Sequence, residues 1–132
     1  MNVSYSTSLG ELEQFVPAFA KELRGGEVIG LIGDLGAGKT TFTQMLGKEL
    51  GITDRITSPT FVMMQFFKGT LPHDQKAVTL YHLDIYRTDD YNEVVQLGLP
   101  DFMGQPDTIT VLEWADKIRQ DLPTDTIFIS FK

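Results

Sequence analysis

The eight residues from Gly33 to Thr40 read GDLGAGKT and satisfy G-x-x-x-x-G-K-[ST] in full. Glycines at 33, 36 and 38 let the backbone fold into a nest whose N–H groups converge on an anion. At this spacing Lys39 reaches the β and γ phosphates of a nucleoside triphosphate, and the Thr40 hydroxyl is a ligand for Mg²⁺. The motif carries that meaning only where a strand turns into a helix, and both flanks comply. Glu27 to Ile32 is an apolar strand, and Lys39 to Leu50 is a helix that places Phe42, Met45, Leu46 and Leu50 on one face, with Gly51 as its C′ residue. The positive end of that helix adds its dipole to the anion site. A glycine turn serving only to join strand and helix has no need of the Lys-Thr pair.

A phosphate site of this kind needs carboxylates. Mg²⁺ is held by the P-loop hydroxyl and by an acidic side chain, directly or through water, and a second carboxylate orients the attacking water. Such groups sit at the carboxyl ends of strands beside the phosphates. Asp84 follows VTLYHL and Glu113 follows TITVL, so each is a candidate for a metal or water role; the competing reading is a solvent-facing carboxylate at a strand end. His82, between Tyr81 and Leu83, reads as a packed strand residue, with a general-base role as the sharper alternative.

Those residues must be carried by a small scaffold. A chain of 132 residues with 42% hydrophobic content supports one core and is too short for two, so residues 1–132 are expected to form a single domain. The first clear element is a helix from Leu9 to Leu23, entered through Ser8 with Glu11 three residues on in capping-box spacing, and with Pro17 imposing a kink or a late start. Gly25-Gly26 ends it. Further strands are expected at Thr60 to Phe67, Val78 to Asp84, Thr108 to Leu112 and Thr126 to Phe131. Lys68 to Lys76 reads as a hairpin or loop that lets the first two of these pair antiparallel. Alternating strands and helices around a P-loop predict a three-layer α/β domain, a mainly parallel sheet flanked by helices with one possible β-hairpin.

Composition then restricts the partners. The net charge of −7 repels phosphate backbones, so tight nucleic-acid binding by this chain alone is not expected and any polynucleotide role is indirect. The sequence has no apolar run of spanning length and no basic-then-apolar leader at MNVSYSTSLGE, which predicts a soluble, cytoplasmic protein with no membrane partner. The absence of cysteine excludes a disulfide framework and a thiolate metal site.

Taken in order, GDLGAGKTTF, SPTF at Ser58 to Phe61, YHLDIYR at Tyr81 to Arg87, LGL at Leu97 to Leu99 and LEW at Leu112 to Trp114 resemble the TsaE family, formerly called YjeE. The blocks extend from about Gly26 to Trp114, and the SPTF, HLDIYR and LEW blocks together are specific where a P-loop alone is not. The resemblance implies an ATPase subunit required for N6-threonylcarbamoyladenosine at position 37 of tRNAs that read ANN codons. It implies two protein partners, TsaD and TsaB: TsaD transfers the threonylcarbamoyl group from an adenylate made by TsaC, and TsaE hydrolyses ATP while docked on the TsaD–TsaB pair. It further implies that Gly36, Ala37, Gly38, Lys39, Thr40 and Thr41 bind the phosphates of ATP, that Thr40 and Glu113 hold Mg²⁺, and that Asp84 serves hydrolysis. Ser58, Pro59 and Thr60 would form a switch-like loop near the γ-phosphate, and Trp114 would lie close to the nucleotide. Ser58-Pro59-Thr60 also reads as an ordinary turn into a strand, and Arg87 as a surface partner for Asp84. Family members commonly continue past the strand equivalent to Thr126 to Phe131, whereas this sequence stops at Lys132, a difference expected to bear on affinity for ATP.

The sequence contains no [NT]-K-x-D run of the kind that reads guanine, and the resemblance favours ATP over GTP. A small-molecule P-loop kinase is the alternative from another class. It needs a lid with arginines that clamp the migrating phosphoryl group, and Arg24, Arg55, Arg87 and Arg119 are scattered, with no compact segment holding two. A third reading, a nucleotide sensor without turnover, differs from an ATPase only in whether hydrolysis is coupled to function.

Overall fold

The computed structural model describes residues 3–33, 36–56, 64–85 and 91–131. Its centre is a six-stranded sheet built from β1 (Val3–Thr7), β2 (Val28–Ile32), β3 (Met64–Thr70), β4 (Ala77–Asp84), β5 (Thr108–Glu113) and β6 (Ile127–Phe131), in spatial order β1-β6-β2-β5-β4-β3. Every neighbouring pair is parallel except β3 and β4. Parallel strands must have both faces covered, and β5, buried at all six positions, shows that they are.

Helices α1 (Leu12–Lys21) and α2 (Gly36–Glu49) cover one face, packing Leu12, Val16, Phe19, Phe42 and Leu46 onto Ile29, Leu31, Ile109 and Val111. The short helices α3 (Tyr91–Val95) and α4 (Leu99–Phe102), with the 3-10 segment Ala115–Asp121, cover the other through Val94, Leu99, Phe102 and Ile118. The result is the expected three-layer α/β architecture. Among the described residues no helix is long and apolar enough to cross a membrane.

Several local expectations change. The N-terminal segment, for which the sequence predicts no strand, forms β1 and pairs in parallel with β6. The helix expected from Leu9 begins instead as a 3-10 turn, Leu9–Glu11, and becomes α-helical at Leu12, the late start that Pro17 foreshadowed. The capping box is not made: the Ser8 hydroxyl donates to the Glu11 carboxylate at 2.7 Å, so neither side chain is spent on a backbone N–H. The helix after the glycine loop begins at Gly36, one turn before Lys39. At its other end Gly51 is the C′ residue as expected. It takes φ +72°, its N–H bonds the Lys48 carbonyl, and Ile52 N–H bonds the Gly47 carbonyl, the paired bonds of a Schellman cap.

The loop expected from Lys68 is strand as far as Thr70, with the antiparallel register running from Met64↔Leu83 to Thr70↔Ala77. Gly69 there marks a close approach and not a turn, since a Cβ would come within 2.6 Å of the Leu50 carbonyl. The strand expected from Thr60 is described only from Met64, and Ser58, Pro59, Thr60, Tyr86 and Arg87 lie outside the described residues.

Phe42 is the keystone of the α1–α2 face. It is fully buried, and its ring meets those of Phe15, Phe19 and Phe131 at centroid distances of 6.5, 6.0 and 6.1 Å. Phe42→Ala is expected to lower the unfolding free energy in urea by about 3–5 kcal/mol, the range for truncating a buried aromatic. Phe66→Ala, at a position 60% exposed, should change it by no more than about 0.5 kcal/mol.

Candidate functional site

The strands β2, β4 and β5 end together. Leu31 pairs with Glu113 and Glu113 with Asp84, so the loop after β2 and both acidic residues lie along one carboxyl edge of the sheet. This is where open α/β sheets bind ligands. Side chains alternate along a strand, and Ile109 and Val111 belong to the α1–α2 face, as do Val78 and Leu80. By the same period His82, Asp84 and Glu113 project toward that face, beneath the amino-terminal end of α2.

Gly33 makes the exit from β2 possible. Its φ is +142°, and a Cβ there would stand 3.1 Å from the Phe131 carbonyl. Gly38, in the first turn of α2, lies against the Phe131 ring, which a Cβ would approach to 3.3 Å. Close packing of β6 on both glycines thus holds the start of the helix against the strand end. Gly36 and Ala37 begin α2, and Thr40 and Thr41 follow as half-buried residues.

Lys39 is fully buried, where the motif alone suggested a side chain presented to an anion. Its ammonium donates to the Gly33 carbonyl at 2.5 Å and lies 3.5 Å from the centroid of the Trp114 ring. A buried ammonium needs such partners, and a carbonyl dipole with an aromatic face supplies them. Trp114 reaches that position through a left-handed backbone, φ 62° and ψ 36°, directly after Glu113. Among the described residues only Gln75 shares a positive φ without being glycine. Conformations of this kind persist where the surroundings enforce them and cluster at functional sites.

Glu113 is 2% exposed, and its Oε2 accepts a hydrogen bond from His82 Nε2 at 2.6 Å. His82 is therefore more than the packed strand residue expected from the sequence: it is bonded to one of the two candidate carboxylates. Period-2 spacing held the signal, since His82 and Asp84 are two apart on one strand and so share a face. Asp84 is half-buried beside this pair. Carboxylate and threonine hydroxyl oxygens are hard donors of the kind that suits Mg²⁺. The same carboxylates would repel a polyphosphate without an intervening divalent cation.

A mostly parallel sheet covered on both faces, with a glycine-containing loop leading from the second strand to a helix amino terminus, defines a P-loop NTPase fold. The match to the model of the family described as "Threonylcarbamoyl adenosine biosynthesis protein TsaE" extends over residues 6–132. The chain belongs to the TsaE family. It is 42% identical over 123 residues to the tRNA threonylcarbamoyladenosine biosynthesis protein TsaE of Bacillus subtilis, covering 92% of this chain and 69% of that protein. The protein of the same name from Rickettsia bellii is 37% identical over 92% of this chain and 80% of its own length, and that from Treponema pallidum 36% over 83% and 76%. Among solved structures, YdiB of Bacillus subtilis superposes with a TM-score of 0.67 at 32% identity, covering 94% of this chain and 71% of that one.

Proposed function

We propose that this chain is the ATP-binding and ATP-hydrolysing subunit of a cytoplasmic assembly with TsaD and TsaB that forms N6-threonylcarbamoyladenosine at position 37 of tRNAs reading ANN codons, meeting tRNA only through that assembly. The observation that carries the reading is the convergence at one sheet edge of a buried lysine, a helix amino terminus and two carboxylates. A cation and a helix dipole fit a polyphosphate. Carboxylates facing them fit the metal that accompanies it.

In this reading the α2 amino terminus from Gly36 to Thr41 binds the phosphates, and Lys39 exchanges the Gly33 carbonyl and the Trp114 face for phosphate oxygens. Thr40 and Glu113 would hold Mg²⁺, which when bound neutralises charge on the β and γ oxygens. Asp84 orients the attacking water. Ser58 and Thr60 complete the γ-phosphate end. Phosphate release from ATP, measured alone and with TsaD and TsaB, tests the assignment: ATP turnover supports it, whereas binding without turnover in either state marks a sensor.

Because Trp114 is the only tryptophan, its fluorescence reports this exchange directly. Removing an ammonium from 3.5 Å above the ring changes the indole's electrostatic surroundings. Mg²⁺ with ADP or ATP is expected to change the emission saturably, with a midpoint equal to the calorimetric dissociation constant, and Glu113→Ala to weaken the Mg²⁺ dependence. A flat titration where calorimetry registers binding would separate Trp114 from the nucleotide.

A further inference from the structure

We infer that His82 is a positioning residue for Glu113, an assignment that rests on Glu113 being the metal-holding carboxylate. The register places Val111, not Glu113, directly opposite His82, and Glu113 opposite Asp84. The Glu113 side chain therefore reaches diagonally back along the sheet to accept the His82 N–H at 2.6 Å. That bond fixes which way the carboxylate plane faces and leaves Asp84 as its neighbour at the strand end. A glutamate carries three side-chain torsions, and the last of them, which sets the carboxylate plane, is broad and only weakly restricted unless a partner fixes it.

A purely structural role accounts poorly for the pair. His82 is fully buried, and its Nδ1 has no hydrogen-bond partner among the described residues. A buried polar pair with one ring nitrogen unsatisfied contributes less to stability than apolar side chains of the same volume would. What the arrangement does supply is orientation of a ligand from behind. Groups that orient a metal ligand in this way typically alter metal affinity by ~10- to 100-fold when removed.

The test is calorimetric titration of ADP, with and without Mg²⁺, into the wild-type protein and the His82→Phe, His82→Gln and Glu113→Ala variants. His82→Phe should weaken Mg²⁺-dependent ADP binding by ~10- to 100-fold and leave Mg²⁺-free ADP affinity within about twofold. His82→Gln, whose amide N–H can reach the same carboxylate oxygen, should restore most of the loss. Equal weakening with and without Mg²⁺, or no rescue by glutamine, overturns the positioning role. If Glu113→Ala removes the Mg²⁺ dependence while His82→Phe matches wild type, the positioning role alone falls. If Glu113→Ala leaves that dependence intact, the metal assignment of Glu113 falls and the His82 proposal with it. Should the phenylalanine variant not fold, the wild type still decides: the His82 Nε2 proton in NMR spectra should move when Mg²⁺ is added to the ADP-bound protein. A resonance insensitive to Mg²⁺ refutes the proposal.

Discussion

Lys39→Ala is expected to reduce ATP turnover by at least ~10²-fold, the scale of losing one preorganised group that stabilises developing charge. The lysine is the only cation that the described site brings to the glycine loop, and its ammonium already sits on the Gly33 carbonyl at the loop's first residue. Truncation removes a buried charge together with its desolvation cost, so the loss of the carbonyl and ring contacts is partly offset and the sheet should remain folded. Circular dichroism and urea melts check this alongside the phosphate-release assay. A folded Lys39→Ala protein that hydrolyses ATP at the wild-type rate would falsify the assignment of this loop to the triphosphate.

Phosphate release is expected to rise at least roughly tenfold when TsaD and TsaB are added, and Asp84→Ala to remove that rise while complex formation persists. The reason lies in what the site lacks among its described residues. Arg24 is bonded to the Lys21 carbonyl at the end of α1, and Arg119 stacks on the Phe128 ring with 4.1 Å between guanidinium carbon and ring centroid, so neither is placed against the glycine loop; Arg55 is exposed at the rim of an open cavity that it shares with Thr41. P-loop enzymes deprived of an arginine finger lose ~10³ to 10⁵ in rate, and a group supplied in trans recovers it. The net charge of −7 suits docking on a basic protein surface, and association should weaken as salt is raised. Equal rates for the isolated chain and the assembly would mean that the active centre is complete within this chain.

Much of this architecture was legible because it is local. GDLGAGKT between an apolar run and a helical stripe located the loop, β2 and α2, and the apolar alternation of β4, β5 and β6 located the strands that end at Asp84 and Glu113. What escaped was set by distant partners. VSYST has no strong strand pattern and becomes β1 because β6 offers a parallel edge. Lys68 to Lys76 reads as a hairpin or loop, yet its first residues continue β3, and Gly69 there admits the Leu50 carbonyl, which accepts the Thr70 N–H. Burial of Lys39 against Gly33 and Trp114, and the bond from His82 to Glu113, depend on contacts between separate segments, which spacing within one segment does not encode. Spacing could place His82, Asp84 and Glu113 on a common face only once β4 and β5 were known to be neighbours. The roles expected for Ser58, Thr60 and Arg87 fall outside the described residues.

The strand order also governs when the loop can exist during synthesis. The strand that carries it, β2, finds both its neighbours late in the chain: Val28 pairs with Thr110, and Ile29 with Ile127. Pairings of such long sequence separation close slowly, because the loop entropy is lost before the contacts form. As the chain leaves the ribosome, α1 and α2 can assemble against each other, but β2 has no sheet to join until β5 and β6 emerge. Nascent chains arrested before Thr108 should therefore be protease-sensitive around Gly33, and protection there should arrive only with the last strands.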